Sequence, residues 1–196
     1  SFCESLSGCL VIGNAAFFGG GGWESTLLNC ELIANAAVGG AGGGAATSRL
    51  VNYFLSGNWA RGDSVGGGVC GGELEGCVLE GNTSEGAGGG AYNAVLTQCL
   101  LTNNAAVMGG GAATGTLSGC TLAGNRAAQG GGAWCAILSL CQLNGNQASD
   151  AGGAAGPTAV LPSRPRDAGR KGEGVRRRRA GAPPADAGHP FRSRLV

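Results

Sequence analysis

Leu117-Ser118-Gly119-Cys120-Thr121-Leu122-Ala123-Gly124-Asn125, a short spacer, and then Gly130-Gly131-Gly132: this stretch decides the fold. Reduced to its recurring positions it reads Leu-x-x-Cys-x-Leu-x-x-Asn, spacer, glycine run, and the chain writes it seven times. The first leucine stands at Leu6, Leu27, Leu50, Leu74, Leu96, Leu117 and Leu138. Three residues on come Cys9, Cys30, Tyr53, Cys77, Cys99, Cys120 and Cys141, and two further Val11, Leu32, Leu55, Leu79, Leu101, Leu122 and Leu143. Each unit closes on Asn14, Asn35, Asn58, Asn82, Asn104, Asn125 or Asn146, at intervals of 21, 23, 24, 22, 21 and 21 residues. A period near 21 sustained over seven units is the mark of stacked repeats, where one unit buries its apolar side only against its neighbours.

The glycines choose among repeat folds. They fall at 19–22, 42–44, 66–68, 88–90, 109–111 and 130–132, with a degenerate pair at Gly152-Gly153. A helix through such a run loses about 1 kcal/mol per glycine relative to alanine, roughly 3 kcal/mol per repeat, and nothing in the Ala-rich spacers offsets it. Helical solenoids are excluded. The central Cys and the leucine two places on are expected to point inward from one strand. The asparagines are expected to form an internal ladder, each amide serving a corner of the backbone and its counterpart one coil away. With strands ~4.8 Å apart, seven coils make a rod of roughly 34 Å.

On these residues the chain resembles two repeat families. Leu-x-x-Cys-x-Leu-x-x-Asn is similar to the leucine-rich repeat, but the segment that would carry that family's further leucines is glycine and alanine here. It resembles more closely the Gly-rich coils of right-handed parallel β-helices of the pectin-lyase-like fold, in particular surface repeats of the polymorphic-outer-membrane-protein type. The resemblance covers about 1–156. It implies a structural or adhesive scaffold, extracellular or on the cell surface, with polysaccharide or a surface protein as partner. An alternative is a polysaccharide-active lyase or hydrolase with its site at the Asp63–Glu85 loop or outside this stretch. A leucine-rich interaction module is the remaining one.

Composition divides the chain near residue 156. Residues 1–150 carry three basic side chains (Arg49, Arg61, Arg126) against nine acidic ones, 3 − 9 = −6, whereas 151–196 carry ten against three, 10 − 3 = +7. All six prolines lie in this second part, the first being Pro157. The reading is a β-helix domain over 1–156, uncapped and part of a longer product, and a basic Pro/Arg/Gly-rich tail over 157–196 with the composition of disordered chain. The uncapped coil ends are expected to favour self-association. No run of 18 apolar residues could span a bilayer, and nucleic acid is not an expected partner despite the arginines of 176–179.

No catalytic, cofactor-binding or metal-binding residue is assigned. Nine cysteines without a C-x-x-C pair, and a single histidine at His189, do not make a zinc site. Stacked cysteines read as small buried hydrophobes; bridges Cys3–Cys9 and Cys135–Cys141 are the alternative for a secreted protein. No Gly-Lys-Ser/Thr follows a glycine run, so phosphate loops are excluded. Asp63, Glu73, Glu75, Glu80 and Glu85, near Arg61, form the one acidic group, at the longest coils. Trp23, Tyr92 and Trp134 follow glycine runs in registers that differ by a residue, which favours packing over a sugar-stacking stripe. Asn82-Thr83-Ser84 is formally a glycosylation sequon, but its asparagine stands in the ladder column.

Overall fold

A computed structural model describes residues 5–156 and the backbone of the two-residue strand Ala159–Val160. The described residues form a parallel β-solenoid of about seven coils, all strands and turns. No described helix is long and apolar enough to cross a membrane. The tail from 157 lies outside the described residues except for that last strand, which pairs with Ile137–Ser139 in register Ile137↔Ala159 and Leu138↔Val160.

Each coil has four faces. The first carries the first leucine at the middle of a three-residue strand such as Thr26–Leu28, stacked on Arg49–Val51 with Leu27 opposite Leu50. The second carries the other leucine, as in Glu31–Ile33 on Phe54–Ser56 with Leu32 opposite Leu55. The third follows the asparagine, as in Arg126–Gln129 on Gln147–Asp150. The fourth is a two-residue strand after the glycines in several coils, such as Ala133–Trp134 on Ala154–Ala155. Pairing is parallel and in register throughout the first two faces, so identical residues stack: Leu27, Leu50, Leu117 and Leu138 are fully buried, as are Leu32, Leu55, Leu79, Leu101 and Leu122. Burying one such side chain stabilises by roughly 1.5–3 kcal/mol, and ordering a 21-residue coil costs about 1–2 kcal/mol per residue in backbone entropy alone. Stability therefore belongs to the stack.

The corners correct one expectation. The central Cys does not share a strand with the leucine after it; it follows a left-handed residue that ends the first face. That residue is Gly8, Asn29, Asn52, Gly76, Gln98, Gly119 or Leu140, every one at positive φ. A second left-handed column precedes the asparagines: Gly13, Ala34, Gly57, Gly81, Asn103, Gly124 and Gly145. A third opens the glycine runs at Gly19, Gly42, Gly66, Gly88, Gly109 and Gly130, with Ala151 in the seventh coil, and a fourth runs Glu24, Thr47, Gly71, Asn93, Thr114, Cys135 and Gly156. At three of these corners the next side chain turns inward and donates to the carbonyl two residues back: Ser25 Oγ to Trp23 O at 2.8 Å, Cys30 Sγ to Leu28 O at 3.4 Å, Asn14 Nδ2 to Ile12 O at 3.2 Å. The leucine-rich reading ends here, because its unit is one strand followed by helix or 3₁₀ turn, while this unit makes two strands on two sheets.

The asparagine ladder is present in full. Asn104 Oδ1 accepts both the backbone N–H of Asn82 (2.9 Å) and its Nδ2 (3.1 Å); Asn104 Nδ2 donates onward to Asn125 Oδ1 (3.0 Å) and back to Leu79 O (2.9 Å). The pattern repeats at Asn35, Asn58, Asn82 and Asn125, all fully buried. Every donor and acceptor of these amides is used.

The second and third glycines of each run are needed for close approach. The second lies against the next coil: a Cβ on Gly110 would stand 2.5 Å from Arg126 O and 2.6 Å from Gly131 O. The third lies against the ladder: a Cβ on Gly111 would stand 3.1 Å from Asn125 Nδ2.

Candidate functional site

Coil length varies at one place only. From the left-handed glycine to the next asparagine the step is always 16: Gly19 to Asn35, Gly42 to Asn58, Gly66 to Asn82, Gly88 to Asn104, Gly109 to Asn125, Gly130 to Asn146. From asparagine to the left-handed residue that opens the next glycine run the steps are 5 (Asn14 to Gly19), 7 (Asn35 to Gly42), 8 (Asn58 to Gly66), 6 (Asn82 to Gly88) and then 5, 5 and 5. Every inserted residue thus falls on the third face, in the second, third and fourth coils. The stacked insertions form a ridge across an otherwise uniform rod.

The ridge has an apolar flank and a charged crown. On the first coil Phe17 and Phe18 are exposed, with rings edge to face at 4.7 Å, and Phe18 stacks on Trp23 at 6.1 Å. The second coil's insertion, Gly39-Gly40, lets Phe17 lie on bare backbone: a Cβ on Gly39 would come 3.1 Å from Phe17 Cε2. The third coil sets Trp59 and Arg61 on one strand, the guanidinium 4.0 Å from the Trp59 ring centroid, a cation–π contact that fixes the arginine. Gly62 follows at φ +72°, and its N–H donates to Glu85 Oε2 of the fourth coil at 2.7 Å. Ser64 is buried, donates through Oγ to Arg61 O, and accepts at its own carbonyl from Ser84 Oγ at 2.9 Å. Arg61, Gly62 and Asp63 are all exposed.

The acidic group of the sequence is dispersed. Glu73 and Glu75 point out from the first face beside Arg49, which pairs with Glu73 at 3.9 Å over a shallow depression of ≈ 280 Å³. Glu80 lies on the second face, and only Asp63 and Glu85 reach the ridge with Arg61. The five carboxylates are therefore spread over three faces of the rod and do not converge on one site. Among the described residues no group of three His, Cys, Asp or Glu could hold a metal. The eight described cysteines are free thiols, so Cys135 and Cys141 are not bridged; Cys3 lies outside the described residues.

The aromatic residues also need correction. Trp23 pairs with Ala46, Ala46 with Cys70, Cys70 with Tyr92, Tyr92 with Ala113 and Ala113 with Trp134, so the three aromatics share one column of the fourth face. The apparent offset comes from counting through the insertion at Gly86. Asn82 is fully buried in the ladder and is no glycan acceptor.

The thiol column is chemically quiet. Cys99 and Cys120 are each pulled down by the thiol of the following coil, but the thiol of the preceding coil and burial outweigh that pull, raising Cys99 to about 12 and Cys120 to about 11. Cys77 is lowered, chiefly by its contact with the Cys99 thiol, and it is buried. Tyr53 interrupts the column: its hydroxyl is enclosed without a hydrogen bond of normal geometry, and burial, then the adjacent Cys30 thiol, pushes it far above the ordinary phenol range. A thiolate nucleophile needs a lowered pKa and access, and none of the buried thiols has both.

Sequence reasoning passed over the Arg61-Gly62-Asp63 turn because it weighed those residues as members of an acidic cluster. The signal was the asparagine-to-glycine count, longest in that coil. Comparisons with protein-family models, curated proteins and solved structures found no match to this chain.

Proposed function

We propose that this chain is a structural and adhesive module of an extracellular or cell-surface protein, a right-handed parallel β-helix whose third-face ridge meets a glycan or protein partner. The carrying observation is the confinement of all length variation to that ridge. Insertions in a repeat array gather on one face, often the one that binds, because the stacked frame cannot accept them elsewhere. The exposed Phe17, Val38 and Trp59 beside Arg61 give that face the aromatic and arginine content of contact surfaces. The resemblance to surface repeats of the polymorphic-outer-membrane-protein type supports the same reading, as does the acidic, lysine-free character of residues 1–156.

The second reading, a polysaccharide-active enzyme, is favoured by one feature, the groove beside Glu73 and Glu75 on the first face. Incubation with acidic polysaccharides, with and without calcium, separates the two. The expected result is saturable retention of the chain on a polysaccharide-coated or cell-covered surface without release of reducing ends or unsaturated products. Turnover that disappears in a Glu73→Gln/Glu75→Gln double variant would replace the scaffold reading with the enzymatic one.

A further inference from the structure

We infer that the ridge crown, Arg61-Gly62-Asp63, is a docking element for an adhesion receptor whose ligand site is a bound divalent cation beside an acidic pocket. The inference rests on the adhesive reading above and names its partner. The juxtaposition that carries it is an exposed cationic and an exposed anionic side chain two residues apart, on either side of a left-handed glycine, at the crest of the longest coil. Gly62 takes φ +72°, and a Cβ there would meet nothing within 4 Å, so the turn projects into open space.

The turn is held from beneath. Glu85 Oε2 accepts the Gly62 N–H at 2.7 Å, Ser64 Oγ closes on Arg61 O, and Ser84 Oγ ties Ser64 O to the neighbouring coil. Trp59 holds the Arg61 guanidinium against its ring. Such pre-ordering lowers the entropy cost of binding. Asp63, by contrast, makes no hydrogen bond or ion pair among the described residues and is exposed. Glu85 spends one oxygen on the turn, which ties its carboxylate to the Gly62 backbone and leaves Asp63 as the carboxylate with no partner on the ridge.

The chemistry selects the partner. A single exposed carboxylate does not hold a hard cation alone, but it completes the coordination of one already bound elsewhere with an open position. A guanidinium pairs best with a planar carboxylate through two parallel hydrogen bonds. A partner must therefore offer a bound Mg²⁺- or Mn²⁺-type ion to Asp63 and an acidic pocket to Arg61. A phosphate-rich or lipid surface fits less well, since it would attract Arg61 and repel Asp63.

The test is binding of the whole chain to an immobilised receptor ectodomain that binds free Arg-Gly-Asp-Ser peptide in a cation-dependent manner. The expected result is binding in Mn²⁺, lost in a chelator and displaced by the free peptide. Asp63→Glu, which keeps the charge and moves it by one methylene, should weaken binding at least about tenfold, a change of about 1.4 kcal/mol. Asp63→Ala should abolish it, with the circular dichroism spectrum unchanged because Asp63 supports nothing in the fold. Absence of binding by the parent chain, binding that survives chelation, or equal binding by Asp63→Ala would each overturn the proposal. Retention of Asp63→Ala on polysaccharide or cells at the parent level would confine the failure to this partner and leave the adhesive reading standing.

Discussion

Replacing Asn104 by leucine is expected to lower the melting temperature by on the order of 10 °C, whereas Asn14→Leu shifts it by no more than about 2 °C. At Asn104 the substitution strips the acceptor from the Asn82 backbone N–H and Nδ2, and the donor from Leu79 O. All of these groups sit in the interior, where a polar atom left without a partner costs about 1–3 kcal/mol. The sum is roughly 4 kcal/mol or more, and the apolar leucine must also fit against the flat Gly90 backbone, where a Cβ would already be 3.1 Å from Asn104 Nδ2. Asn14 is exposed at the first described rung, so water replaces most of what its amide provides. Thermal unfolding of the two variants checks the difference; equal shifts would mean that the ladder adds nothing beyond packing. An off-column asparagine such as Asn93 is a poor comparison, because it occupies a left-handed corner at φ +48° and its replacement carries a backbone strain of its own.

Gly110→Ala is the second large effect. The added methyl would face Arg126 O at 2.5 Å and Arg126 C at 2.7 Å, both backbone atoms that cannot rotate away. The coils must separate locally, and overpacking of a rigid site costs about 3 kcal/mol or more. Gly145→Ala makes the contrast. Gly145 is left-handed at φ +61°, but a Cβ there meets nothing within 4 Å. Its cost is confined to the left-handed penalty of about 1–2 kcal/mol, which Ala34 and Asn103 already tolerate at the same corner. Chemical denaturation should rank Gly110→Ala well below Gly145→Ala. The reverse order would mean that the glycine runs serve turning rather than close stacking.

Much of this architecture was legible in the sequence, for a physical reason. A stacked coil places like on like, so the Leu, Cys and Asn columns had to recur at one spacing, and the asparagine ladder followed from a buried amide that needs four partners. The corners were less legible. Left-handed backbone suggests glycine, yet Asn29, Asn52, Gln98 and Leu140 occupy the same corner as Gly8 and Gly76, because the strain at one residue is small beside the pairing on both sides of it. The ridge was hidden by counting asparagine to asparagine. That interval adds a fixed 16-residue frame to a variable segment of 5–8 residues, and only the separate counts show where the variation lies. The acidic group misled for a related reason: Glu73, Glu75, Glu80 and Glu85 are close in sequence, but strands three residues long with sharp corners turn them onto three different faces.

Frame and ridge are therefore separable. A chain with Gly39-Gly40, Gly62-Asp63-Ser64 and Gly86 deleted returns the second, third and fourth coils to the 5-residue step of the others. Its melting temperature and its binding to the receptor and surfaces above, measured beside the parent, show whether the ridge can leave the frame intact. The expected result is a folded rod melting within about 5 °C of the parent, a change of roughly 2 kcal/mol or less, with binding gone. A trimmed chain that fails to fold, or that folds and binds as the parent does, would contradict that separation.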